Sequence, residues 1–147
     1  RKSEQHIDFD LDLAVSQSKD NAVYYIRYAH ARICRMLEKA ASTHVNFDAV
    51  NARQFAAKLD LDAETEILAK LAAYPEIVIR AANSFEPHQV GNYLKELAAL
   101  FHGWYNEHKV LNDDAELTQA RLLLSVNVQQ VLRNGLELLG VSAPTSM

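Results

Sequence analysis

The chain has 147 residues, 49% of them apolar, with four glycines, one cysteine and a formal net charge of −4. That length supports one domain with a real core, the glycine-poor composition favours helices, and a lone Cys34 excludes an internal disulfide and fits a reducing compartment. No apolar run approaches the roughly 20 residues of a membrane span, and the negative total argues against a generically basic nucleic-acid binder. The expectation is a soluble, cytoplasmic, all-α protein, a helical bundle of about five helices. Because the chain starts at Arg1 with no initiator methionine or leader, it reads as an excised piece of a longer polypeptide.

Taken in order, residues 1–20 form an arm and residues 21–147 the helical domain. In the arm Ile7, Phe9, Leu11 and Leu13 alternate with Asp8, Asp10 and Asp12, which taken literally predicts a half-buried strand, but a lone strand in a helical domain has no partner, so the segment reads as an arm whose apolar side chains want a surface. A first long helix starts near Asp20 or Asn21, either of which can cap it, and runs to about Ala41. Residues 42–46 read as a loop, and Asp48 caps a short helix from about Ala49 to Lys58. Asp62 opens a third helix, broken at Ala73-Tyr74 ahead of a piece from Pro75 to Asn83. Pro87 sits just inside the start of a long helix ending near Val110. After a turn at Asn112-Asp113-Asp114 the last helix runs from about Ala115 to Leu139, closed by Gly140. Its apolar positions, among them Leu117, Ala120, Leu124, Val128, Val131 and Gly135, widen at Leu123 and Leu132, so it is expected to be the central post of the bundle.

The first long helix is the informative one. Val23, Ile26, His30, Ile33 and Leu37 make a core-facing stripe, and Tyr24, Tyr28, Arg32, Arg35 and Lys39 make a second stripe beside it. Four cations there, Arg27, Arg32, Arg35 and Lys39, face the single carboxylate of Glu38, so this helix is locally basic inside an acidic chain. Aromatic rings stack unpaired bases and guanidinium groups hold the backbone, so the stripe reads as a surface for single-stranded nucleic acid. Tyrosines beside an apolar stripe also pack at core boundaries with wet hydroxyls, and the same face suits a helical protein-interaction module.

The run from Asn21 to Arg32, with Tyr28-Ala29-His30-Ala31-Arg32 as its strongest part, follows Phe9-Asp10-Leu11-Asp12-Leu13 and precedes Ala120-Arg121-Leu122-Leu123 and Met147. Over essentially the whole chain it resembles the carboxyl-terminal part of bacterial-type arginyl-tRNA synthetases, ending in the helical anticodon-binding domain named for an Asp-Ala-Leu-Arg signature. Thr118-Gln119-Ala120-Arg121 keeps that signature only in part, Asn21-Ala22 replaces the more usual Asn-Pro, and Arg27 stands where Gln is common. The resemblance implies that Tyr24 or Tyr25, Tyr28 and Arg32 of the first helix, Tyr105, Asn106 and Lys109 near the end of the helix from Pro87, and Met147 face the anticodon loop, and Arg35 joins the candidates from its place on the same stripe. It also implies an arginine-specific tRNA and the catalytic domain of the same polypeptide as partners, with no membrane and no DNA, and ATP and Mg²⁺ as needs of the full-length enzyme rather than of this part. For Met147 a frayed tail is the competing reading.

No catalytic residue is expected in this segment. Glycine-rich phosphate loops and nucleophile elbows are absent, as are the His-Ile-Gly-His-like and Lys-Met-Ser-Lys-like segments on which the resembled enzymes' chemistry depends. His6, His30, His44, His88, His102 and His108 show no metal-ligand spacing, so no metal is expected. His30 on the core stripe reads as a buried hydrogen-bonding group, with a base contact as the alternative. Cys34 reads as a small buried hydrophobe and Trp104 as core, while the carboxylates read as scattered on polar faces.

Overall fold

The computed structural model describes residues 10–18 and 20–147, and all regular structure among them is helical. Seven α-helices follow in order: α1 (Leu11–Val15), α2 (Ala22–Ser42), α3 (Ala49–Ala52), α4 (Asp62–Ala72), α5 (Tyr74–Ser84), α6 (His88–Glu107) and α7 (Ala115–Leu138), with a 3₁₀ helix over Arg53–Lys58. The class is the expected one, and the count exceeds five. Pro75 separates α4 from α5, and the 49–58 stretch tightens after one α turn.

The literal strand pattern of the arm is not realised among its described residues. Ile7, Asp8 and Phe9 lie outside the described residues, but Leu11 to Val15 form a helical turn and a half, capped by the Asp10 carboxylate accepting from the Leu13 N–H at 2.9 Å. Backbone donors and acceptors with no neighbouring strand are satisfied locally, and helix does this where a lone strand cannot. Leu11 and Val15 remain 64% and 69% exposed.

Asn21 performs two tasks at the head of α2. Its Oδ1 accepts from the Val23 and Tyr24 N–H groups, while its Nδ2 donates to the carbonyls of Ala14 and Ser16, fastening the arm to the helix start. Asp48 and Asp114 cap α3 and α7 in the same way. Gly140, at φ +70°, closes the last helix in the left-handed region that favours glycine.

Helix α7 is the central post: it packs against α2, α6, α3, the 3₁₀ helix and α4. Leu122, Leu124, Val128 and Leu132 are 1% exposed or less, and so are Ile33 of α2 and Leu94, Leu97 and Phe101 of α6, which meet them in one core. Full burial of such side chains is worth about 1.5–3 kcal/mol each. Gly135 permits the close α6–α7 crossing, since a Cβ there would come 2.6 Å from the buried Leu94 side chain. Leu138, three residues after Gly135 at the same helical spacing, is instead 61% exposed.

One carboxylate breaks the expectation of polar faces. Glu64, in the first turn of α4, is fully buried. Its Oε1 accepts from Arg121 Nε at 2.8 Å and from Trp104 Nε1 at 3.2 Å, and its Oε2 from the Leu61 N–H at 3.3 Å. Arg121 also donates to the Lys109 carbonyl at 2.8 Å. The charges answer each other in the dry interior, so α4, α6 and α7 are tied at one point.

Candidate nucleic-acid interface

The two stripes of α2 separate as their spacing requires from Ile26 onward, whereas Val23, expected on the core-facing stripe, is 47% exposed in the first turn of the helix. Ile26, His30 and Ile33 are buried, whereas Tyr24, Tyr28 and Arg32 are half-buried and Arg35 and Lys39 exposed. Helix α6 lies alongside and presents His102, Tyr105 and Asn106 to the Tyr28–Arg32 turn. The 141–147 tail closes the other side.

Arg32 is the centre of this arrangement. Its Nη1 donates to His102 Nδ1 at 3.0 Å and to Asn106 Oδ1 at 3.2 Å, and its Nη2 donates to the Tyr28 hydroxyl at 3.3 Å. The guanidinium carbon lies 5.0 Å from the Tyr28 ring centroid and 5.1 Å from that of Tyr105, within cation–π range of both. All three acceptors are neutral, and among the described residues no carboxylate pairs with Arg32, so its charge stays available. Tyr24 continues the aromatic surface, its ring parallel to that of Tyr28 within 4° at 6.3 Å.

Between these groups is a hollow of about 140 Å³ lined by Tyr28, Ala31, Arg32, Arg35, Tyr105 and Met147. Arg35 Nη2 donates to the Met147 carbonyl oxygen at 2.7 Å. The tail is anchored further back by His30, whose Nδ1–H donates to the Pro144 carbonyl at 2.9 Å, and by Arg27, which donates to the Ser142 hydroxyl at 3.5 Å. His30 is fully buried, so it is a structural hydrogen-bonding group, and its partner is the tail. Trp104, 2% exposed, is core, and Cys34 is buried with its sulfur 3.0 Å from Gln129 Nε2.

The hollow thus gathers Tyr28, Arg32, Arg35, Tyr105 and Met147, with Asn106 and Tyr24 adjoining. Two expected members stand elsewhere. Tyr25 turns inward against the core, its ring 4.7 Å from that of His102, because position 25 lies one residue off the exposed stripe. Lys109 lies beyond the end of α6 and borders a neighbouring cleft with Lys39.

His102 is the group that spacing did not single out for this site. It sits four residues before Asn106 and three before Tyr105, hence on the same face of α6, and that was the available signal. Its ring stacks on Tyr28 at 5.5 Å and 24°. Burial first, and the Arg32 charge second, push its pKa down to about 4, with the Tyr25 backbone offsetting part of the fall. The neutral ring is the one Arg32 needs, since a guanidinium can only donate and Nδ1 must accept.

A larger cleft of about 650 Å³ between α5 and the end of α7 is lined mainly by apolar groups such as Pro75, Val78, Ile79 and Leu138 and has no cation. An anionic ligand has nothing to hold there. Among the described residues no three His, Cys, Asp or Glu side chains converge as a metal set would, and no helix is long and apolar enough to cross a membrane.

The DALR anticodon binding domain family matches residues 26–147. The chain is 86% identical over its full length to an arginine–tRNA ligase of Acinetobacter baumannii (strain AYE), of which it covers 25%, and 52% identical to one from a Psychrobacter species (strain PRwf-1), of which it covers 26%. It therefore spans about a quarter of the length of these relatives. Among solved structures, the Thermus thermophilus arginyl-tRNA synthetase superposes on 97% of the chain with a TM-score of 0.81 at 30% identity, the chain covering 24% of it. A putative arginyl-tRNA synthetase from Campylobacter jejuni superposes on all of the chain with a TM-score of 0.84 at 28% identity, the chain covering 31% of it. Matched across all but its first 25 residues, and carrying the same helical architecture as these solved structures, the chain belongs to the DALR anticodon binding domain family.

Proposed function

We propose that this chain is the anticodon-reading unit of an arginine–tRNA ligase, acting in the cytoplasm beside the catalytic domain of the same polypeptide. In that reading the parent enzyme attaches arginine to its tRNA using ATP and Mg²⁺, which the catalytic domain holds, and this unit supplies binding energy. The observation that carries it is Arg32, aimed along a hollow between Tyr28 and Tyr105 with no carboxylate to neutralise it.

The mechanism rests on what an unstacked base offers. Its π-face lies against Tyr28, with Tyr24 extending the surface, at about 1–3 kcal/mol per stacked base. Its polar edge meets the free donor positions of Arg32, Arg35 and Asn106, where a wrong base leaves buried groups unpaired. His102 and Asn106 hold the guanidinium before RNA arrives, so little ordering cost falls on binding. Met147 closes the hollow on the tail side, and Tyr25 supports the site by holding His102. Exposed Leu11, Leu13 and Val15 of the arm suit contact with the catalytic domain.

Titration with anticodon stem-loops matched and mismatched to arginine tests the reading. Base-selective binding that weakens with salt, and falls about tenfold or more in Tyr28→Ala, is expected. Binding indifferent to loop sequence, or unaffected by Tyr28→Ala, would point to a protein-interaction module instead.

A further inference from the structure

Across Tyr105 and Asn106 from the hollow lies a second cleft, of about 560 Å³, between the last turns of α2 and the segment from Tyr105 to Leu111. Its floor is apolar, with Met36 and Val110 each 4% exposed. Lys39 and Lys109 stand on its rim, both exposed, together with His108 and a single carboxylate, Glu107. Lys58, Lys70, Arg80 and Arg121 each meet a carboxylate elsewhere in the molecule. The ammonium groups of Lys39 and Lys109 meet none among the described residues.

The two clefts are not independent surfaces. They share Tyr105 as a wall, and the α2 stripe of Tyr24, Tyr28, Arg32, Arg35 and Lys39 leads at helical spacing from one into the other. A base in the first cleft therefore delivers its adjoining phosphate toward the second. Uncompensated lysines over an apolar floor suit a phosphodiester with its sugar, and they carry no directional code for a base edge.

We propose that this second cleft is a phosphate-binding subsite for the nucleotide adjoining the one held between Tyr28 and Arg32, gripped by Lys39 and Lys109. This rests on the anticodon-loop reading above. The subsite adds grip and register, and the Tyr28 hollow adds selectivity.

Salt titration of anticodon stem-loop binding separates the two contributions. Lys39→Gln/Lys109→Gln should make the plot of log affinity against log salt shallower by about 0.7, the increment for one phosphate contact on a single strand. It should weaken matched and mismatched loops by the same factor. Arg53→Gln/Lys95→Gln, which removes equal charge from exposed positions outside the cleft, should leave the slope nearly unchanged. An unchanged slope in the first variant, or the same shallower slope in both, overturns the subsite while leaving the Tyr28 hollow standing. A wild-type chain that binds no stem-loop overturns the proposed function, and this subsite with it.

Discussion

Two arginines divide the labour of this domain, and their surroundings differ in one respect that decides their roles. Arg121 is 8% exposed and answered by Glu64, a carboxylate that is itself fully buried and also accepts from Trp104. Arg32 is half-buried between two tyrosine rings and bonded only to neutral acceptors. The first charge is cancelled inside the protein and holds three helices together. The second is oriented but left uncancelled, which is the condition for meeting an anion or a polar base edge from outside.

The contrast is broken most severely at Glu64. Glu64→Gln leaves Arg121 buried without its counter-charge, and unfolding in urea should show a loss of about 3–5 kcal/mol. A change below about 1 kcal/mol would mean that Arg121 escapes to water and that the buried cluster does not hold the helices.

Acid probes the other arginine through its neighbour. The folded His102 ring titrates near 4 and an unfolded histidine near 6.5, so the unfolded chain takes up the proton first as pH falls. This contribution to stability is complete above about pH 6.5 and declines toward pH 4, by on the order of 3 kcal/mol. His30, also lowered chiefly by burial, acts in the same direction. His102→Phe, which keeps a ring against Tyr28, should flatten the difference between denaturation midpoints at pH 7 and pH 4.5. An identical pH profile in this variant would show that His102 is not held neutral by its site.

Tyr24→Ala sharpens the contrast by the smallest step. Removing the outer ring of the Tyr24–Tyr28 pair should weaken stem-loop binding by about 1 kcal/mol, roughly fivefold, without moving the thermal midpoint. Full affinity in this variant would restrict the stacking surface to Tyr28.

Most of the scaffold was legible because its punctuation is local. Asn21, Asp48 and Asp114 are caps, Pro75 and Pro87 mark breaks, and Gly140 occupies a left-handed turn, each specified within a few residues of itself. The breadth of the apolar side of α7 likewise announced its central place. The alternation around Leu11 and Leu13 has the period of a strand, but the helical patterns of the rest of the chain offer such a strand no partner, and the segment closes its backbone hydrogen bonds locally as a helix.

The long-range polar pairs were hidden for a related reason. Glu64 sits three residues before Ile67, on the inner face of α4, but nothing near it shows that Arg121 will arrive 57 positions later. His102 is set against Arg32 by the packing of α2 on α6, 70 positions apart. Tyr28 and Arg32 could be read together because four residues on one helix meet without tertiary information. Tyr24 and Tyr25 separate by the same helical spacing, since only position 24 falls on the Tyr28–Arg32 stripe, but that the inward Tyr25 ring would meet His102 depends on where α6 lies.

Arg32→Ala, measured for both stem-loop affinity and urea stability, is the most direct test that the uncancelled arginine is there for a ligand. Loss of a charged hydrogen-bonding group should weaken binding of the matched stem-loop by about 10–100-fold, while stability changes by less than about 1 kcal/mol. Unchanged affinity accompanied by a stability loss as large as that of Glu64→Gln would make Arg32 a second Arg121, and the hollow beside it part of the scaffold.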